Sequence, residues 1–169
     1  MTGVRVTLRD RDVRQALARL ARLGRDPGPP LKALGPILVA STRNRIVAEQ
    51  SPDGTPFAPL NRDYAAVEKK GPGILRERAM RGGLFASLTS EQGGRTLRIG
   101  TNKLYAAVHQ FGATIRPVRA PALVFRLGGR LVRAEKVEIP ARPFLGISAE
   151  DRGEIHDVFA TFAARAGAR

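Results

Sequence analysis

Cysteine and tryptophan are absent from the 169 residues, histidine occurs twice, and aromatic side chains make up only 5%. The first absence excludes disulfides and thiolate chemistry and leaves the redox compartment unmarked. Two histidines do not supply the three or four nitrogen or sulfur ligands of a structural zinc site. A mixed histidine–carboxylate site has no ligand spacing to support it. No apolar run approaches the ~20 residues of a membrane helix, and the N-terminus lacks the apolar core of a signal peptide. The expectation is a soluble protein that stays where it is made or joins something larger.

Acidic residues are also scarce. Asp and Glu number 15 against 29 Lys and Arg, for a net charge of +14. Lysine contributes only Lys32, Lys69, Lys70, Lys103 and Lys136, so arginine supplies most of the field, and its planar fork of donors suits phosphate. Such a field favours polyanions. Acidic protein partners, or the Arg-, Ala-, Gly- and Pro-rich output of a high-GC coding sequence, account for the same excess. The charges are spread along the chain without the block of a nucleic-acid tail.

Catalytic fingerprints are missing as well. No G-x-S-x-G, P-loop or dinucleotide motif occurs. Gly82-Gly83, Gly93-Gly94 and Gly128-Gly129 lack the following helix and Lys-Ser/Thr of a phosphate cradle. His109 is the sole candidate base in a recognisable block, and it lacks positioned partners. The residues therefore predict a protein that binds rather than an enzyme, with no cofactor and no metal.

What is present suffices for one domain with a real core, whereas two would be cramped. Val4–Leu8 alternates weakly as a short strand. From Asp10 as N-cap, Val13, Leu17, Leu20 and Leu23 mark an amphipathic basic helix ended by Gly24 and the prolines at 27, 29 and 30. Residues 1–30 thus read as a basic helical extension, and 31–169 as a single α+β domain. A second helix spans Leu31–Gln50, with Pro36 in its first turn or at a kink. Ser51-Pro-Asp-Gly54 is a turn. Thr55–Leu60, with two prolines, is extended and inserts Phe57 and Leu60 into the core. Asn61 caps a helix to Lys70, and Arg76, Arg78 and Arg81 form a basic cluster. Leu84–Leu88 is a short helix or turn, and Thr96–Gly100 a half-buried strand.

The most informative stretch is Asn102–Ser148. Asn102 caps a short helix on which Leu104, Val108 and Phe111 recur at i, i+4 and i+7, and Gly112 ends it. Tyr105 and His109 fall on a neighbouring stripe. Leu123–Leu127 and Arg130–Ala134 form a hairpin about Gly128-Gly129. Closing the turn there pairs Leu127 with Arg130, Phe125 with Val132 and Leu123 with Ala134. Val124, Arg126, Leu131 and Arg133 then share the outward face. The hairpin is either a projecting basic arm or an ordinary edge blunted by charge. Pro140 ends a strand, Pro143 keeps the chain extended, and Ser148-Ala-Glu-Asp151 is a capping-box pattern. It opens a helix whose Ile155, Val158, Phe159 and Phe162 should dock on a sheet. The fold class is α+β, with three or four helices around a small, mainly antiparallel sheet and a long basic hairpin.

"YAAVHQFGA", then the basic hairpin, then "IPARPFLGIS" resembles the phage virion-morphogenesis, or tail-completion, family of Mu-like and other contractile-tailed phages. "SPDGTPFAPL" and "GILRERAMRGGLFASLT" are similar to its earlier blocks in the same order, so the likeness covers roughly residues 31–159. Phe57 stands where the family pattern has Trp, and no family motif attaches to residues 1–30. The resemblance implies a structural virion protein of the tail or neck, found in the host cytoplasm during assembly. It implies a homohexameric ring at the head-proximal end of the tail, which completes the tail or joins it to the head. Its partners would be further copies of itself and adjacent tail-tube, tail-terminator or head–tail connector proteins. Double-stranded DNA would pass through the lumen, with no membrane involved. On that reading Tyr105, His109, Gln110 and Arg142 fix the subunit or partner surface, and Phe57, Leu60, Phe111 and Phe144 support the core. Arg126, Arg130 and Arg133 form a basic arm facing DNA or a partner. The rival reading is a free basic nucleic-acid-binding protein, with its arginines on one continuous face.

Overall fold

The computed structural model describes residues 11–69, 71–76 and 83–168. The expected strand at Val4–Leu8, the Asp10 cap, and Arg78 and Arg81 of the basic cluster lie outside these residues. Helix α1 spans Arg11–Arg25. Helix α2 spans Gly28–Ala48, starting three residues before Leu31, because Pro29 and Pro30 occupy a first turn whose N–H groups have no helical acceptor anyway. The prolines that stop α1 thus also start α2, and Pro36 sits inside the helix on its exposed side.

The molecule is organised around α2. Leu34, Leu38, Val39, Thr42, Arg45 and Ile46 are all buried along it. They face the hairpin of β1 (Thr89–Gly93) and β2 (Thr96–Gly100) on one side, and α5 (Ala149–Ala168) on another. The core joins Val39 and Ile46 to Phe57, Leu84, Leu88, Ala106 and Phe144, with Ile74, Leu75, Phe85, Ile99 and Leu145 packed against it. Leu84 belongs to the single turn of α3 (Leu84–Ser87).

The remaining strands follow the short helix α4 (Ala106–Phe111): β3 (Ala113–Ile115), β4 (Leu123–Leu127), β5 (Arg130–Ala134) and β6 (Val137–Ile139). The class is α+β, but the expected single sheet is three separate antiparallel ribbons, β1–β2, β3–β6 and β4–β5. The β4–β5 register is the one read from the turn, with Leu127 opposite Arg130 and Phe125 opposite Val132. Strand β1 was not anticipated. Its sequence, Thr-Ser-Glu-Gln-Gly, has no apolar alternation, and it forms because β2 supplies a partner and α2 covers one face.

Two expected helices differ. The segment from Asn61 contracts to a π-helical turn at Tyr64–Glu68, entered where the Asn61 Oδ1 accepts the N–H groups of Asp63 and Tyr64 at 3.0 and 3.2 Å. Helix α5 packs on α1 and α2 rather than on a sheet, and its Ile155, Val158, Phe159 and Phe162 are only half-buried. Its capping box is reciprocal: the Ser148 Oγ accepts the Asp151 N–H at 3.1 Å, and the Asp151 Oδ2 accepts the Ser148 N–H at 2.9 Å. The same carboxylate meets Arg45 at 2.6 Å with both side chains buried. Arg45 also donates to the Gly146 carbonyl (3.0 Å), Ser41 Oγ (2.8 Å) and Thr42 Oγ1 (3.1 Å). Its charge is therefore both paired and hydrogen-bonded, the condition under which burial is tolerated.

Candidate assembly surface around the fourth helix

At about 100° per residue, α4 and the turn before it present three stripes. Ala106 and Gln110 face inward, Tyr105 and His109 lie about a third of a turn away, and Leu104 and Phe111 occupy the third stripe. Gln110 is a latch on the Pro143–Leu145 segment. Its Oε1 accepts the N–H groups of Phe144 and Leu145, both at 3.0 Å, and its Nε2 donates to the Leu145 carbonyl at 3.0 Å. The amide side chain thus substitutes for a missing strand neighbour, satisfying backbone groups that would otherwise be buried without partners.

Arg142 completes the arrangement. Its N–H donates to the His109 carbonyl at 2.7 Å, and its guanidinium donates to the carbonyls of Ala58 and Pro59 at 2.6 and 2.8 Å. The proline-rich segment is thereby fixed to α4. Burial draws Arg142 below its ordinary pKa, and the two carbonyls take up its donors.

These contacts revise three assignments. Gln110 and Arg142, expected on a partner surface, are committed to the interior of the chain, and Arg142 is 4% exposed. Phe111, expected in the core, is 79% exposed, and Leu104 of the same stripe 96%. The reason is local. The Pro140–Leu145 loop crosses α4 on the Ala106–Gln110 face, so of the stripe that periodicity picks out Leu104 and Phe111 face away and Val108 is half-buried. Gly112 makes the exit possible with φ +73, and a side chain there would press on the Ala141 backbone at 3.0 Å. Phe57 and Phe144 are buried as expected, and Leu60 is half-buried.

Tyr105 and His109 meet edge to face, ring centroids 5.9 Å apart at 83°. Both line a cleft of about 520 Å³, whose apolar walls include Leu60, Phe125, Leu127 and Ile139. The Nδ1 of His109 is buried there without a hydrogen-bond partner among the described residues. Burial, and secondarily the charge of Arg142, hold His109 below the usual imidazole pKa. The shift favours the neutral imidazole near pH 7.

The β4–β5 hairpin forms another cleft wall. Gly128 and Gly129 carry φ of +63 and +76, the geometry of a two-residue turn that only glycine and a few polar residues tolerate. Their N–H groups donate to the two Glu68 carboxylate oxygens at 3.1 and 3.0 Å. That tie joins the hairpin tip to the π-helical turn, and the Gly129 N–H is the main cause of the lowered Glu68 pKa. Arg126, Arg130 and Arg133 are exposed, as are Val124 and Leu131 beside them. Sequence reasoning missed Glu68, whose role appears only once the hairpin is seated.

Among the described residues, no cluster of three or more His, Asp or Glu side chains is arranged to hold a metal ion, and no helix is long and apolar enough to cross a membrane. The fold and this surface define an α+β protein in which Gln110, Arg142 and Glu68 fasten its own loops while Leu104 and Phe111 face outward. The chain belongs to the phage virion morphogenesis family, whose pattern matches residues 8–162. The match takes in α1, to which the sequence attached no motif. Tail completion protein S of Escherichia phage P2 is 30% identical over 128 residues, 70% of this chain and 71% of that protein. The protein named "Putative capsid assembly protein G" of Escherichia phage Mu is 29% identical over 151 residues, 87% of this chain and 85% of the other. The Mu-like prophage FluMu G protein 2 of Haemophilus influenzae is 40% identical over 72 residues, 43% of this chain and 41% of that protein. No solved structure matches the chain.

Proposed function

We propose that this protein is a tail-completion component of a phage virion, acting by assembly into a ring at the head-proximal end of the tail. It contacts neighbouring tail or connector proteins there, and DNA passes through its lumen. The observation that carries this reading is the distribution of apolar side chains. Among the described residues Leu104, Phe111, Val118 and Leu131 are 71% to 96% exposed. Monomers leave scattered apolar residues outside, but large side chains left this bare fit a chain completed by neighbours. The kinship with tail completion protein S supports a part in completing a phage tail.

The exposed Arg126, Arg130 and Arg133 are the residues this reading assigns to phosphate contact in the lumen, without base reading. Replacing all three with Gln should lower the salt slope of DNA retention by roughly 2–3, one phosphate contact per arginine. The direct test is imaging of virions and of the purified protein. Symmetric copies encircling the tail axis are expected, and particles lacking the protein should carry incomplete or unattached tails. A lone monomer that turns over a substrate, or binds one operator sequence, would overturn the proposal.

A further inference from the structure

The assembly reading does not say which surfaces meet, and the two faces of α4 supply a pair. Phe111 and Leu104 project as an apolar knob, 79% and 96% exposed. A third of a turn away, Tyr105 and His109 look into the cleft between the π-helical turn, β4 and β6. A cavity of about 150 Å³ already accepts a benzene ring, so a cleft of about 520 Å³ admits the Phe111 ring with its neighbour. The knob and the cleft-lining pair lie on different stripes of α4 and the turn before it, so a chain cannot seat its own knob in its own cleft.

We infer that Phe111 and Leu104 of one copy seat in this cleft of the next copy, which makes the subunit contact heterologous, head to tail. The inference rests on the assembly reading above and gives it an interface. A knob and a cleft on different faces of every subunit propagate, and the chain of contacts closes into a ring when the rotation per step divides a full turn. A twofold contact would instead seat both knobs in both clefts at once and stop at a dimer, so a wild type that stops at two copies overturns the head-to-tail contact. The second copy is favoured as occupant because the floor of the cleft at Leu60, Phe125, Leu127 and Ile139 is apolar, with the charged Lys69, Arg76, Arg126 and Glu138 also lining it, and an apolar knob of suitable size is already present in equal number.

Two exposed positions test this without threatening the fold. Phe111→Asp removes the knob, and Tyr64→Arg, at a cleft-lining residue 40% exposed, lays a long cation across the cleft. Light scattering after size exclusion should show the wild type assembled and each variant folded but monomeric, with self-association weakened on the order of 100-fold, as for a central aromatic anchor. An equimolar mixture of the two variants retains one intact knob and one intact cleft. It should therefore yield a 1:1 heterodimer that grows no further. Assembly of Phe111→Asp at wild-type strength, or no heterodimer in the mixture, overturns the inference while leaving the assembly reading in place. A wild type that stays monomeric at every attainable concentration overturns both.

Discussion

Phe144 and His109 show how far single side chains answer for the fold. Phe144 is fully buried in the core cluster, and its backbone is held by Gln110. Truncation to alanine removes packing on all sides of a site that cannot collapse easily, at a cost of about 3–5 kcal/mol. Chemical denaturation of Phe144→Ala should show that loss, or no cooperative unfolding at all. His109 predicts a pH dependence. Its folded pKa lies below the unfolded value of about 6.5, because burial and Arg142 disfavour the imidazolium. Above that value both states are neutral and the group contributes nothing. As pH falls below it, the unfolded chain takes up a proton that the folded chain resists, so stability declines until the folded value is passed. The midpoint of urea unfolding should fall over that window, and His109→Gln should flatten its part of the slope. Of the residues read from sequence, Phe57 and Phe144 were legible as core because flanking prolines left them nowhere else to go. Phe111 was not, since periodicity reveals an apolar stripe but not which side of the helix the next loop covers. Gln110 and Arg142 were misplaced for a related reason: a polar side chain that satisfies internal carbonyls looks, in sequence, like one that meets a partner.

Elements were more legible where geometry is local. The β4–β5 register follows from two glycines and strict alternation, and it matches residue for residue. Helix α1, the α5 capping box and the turn before Phe57 were readable for similar reasons. The separation of the strands into three ribbons was not, because pairing β3 with β6 joins Ala113 to Ile139 across the whole hairpin between them. The hairpin itself leans on the rest chiefly through the π-helical turn, where Glu68 holds the turn amides. In Glu68→Ala the hairpin should keep its register and loosen from that seat. Faster amide exchange at Gly128 and Gly129, with unchanged exchange in α2, would verify this. Equal exchange in both proteins would show that the carboxylate is not what seats the tip.

At the scale of the whole molecule, charge and apolar exposure make opposite demands on salt. Copies carrying +14 each repel, and the repulsion is screened as the Debye length shrinks from about 10 Å at 0.1 M to about 3 Å at 1 M salt. Apolar contacts between copies do not weaken in that range. Phosphate binding does, because counterion release loses its advantage. Sedimentation should therefore show larger assemblies as salt rises, while retention on DNA falls. Joint weakening of both would indicate that the copies are held together by ion pairs instead.

The buried Arg45–Asp151 pair has a consequence for how the protein opens. One guanidinium spans Ser41 and Thr42 in α2, the Gly146 carbonyl in the loop and the carboxylate that starts α5. Fraying either helix end alone would strand a charge in the interior, a cost of about 3–5 kcal/mol. The last turn of α2 and the first turn of α5 should thus behave as one cooperative foldon. Under native-state hydrogen exchange their amides should share a single opening free energy, and in Asp151→Ala the two ends should become independent.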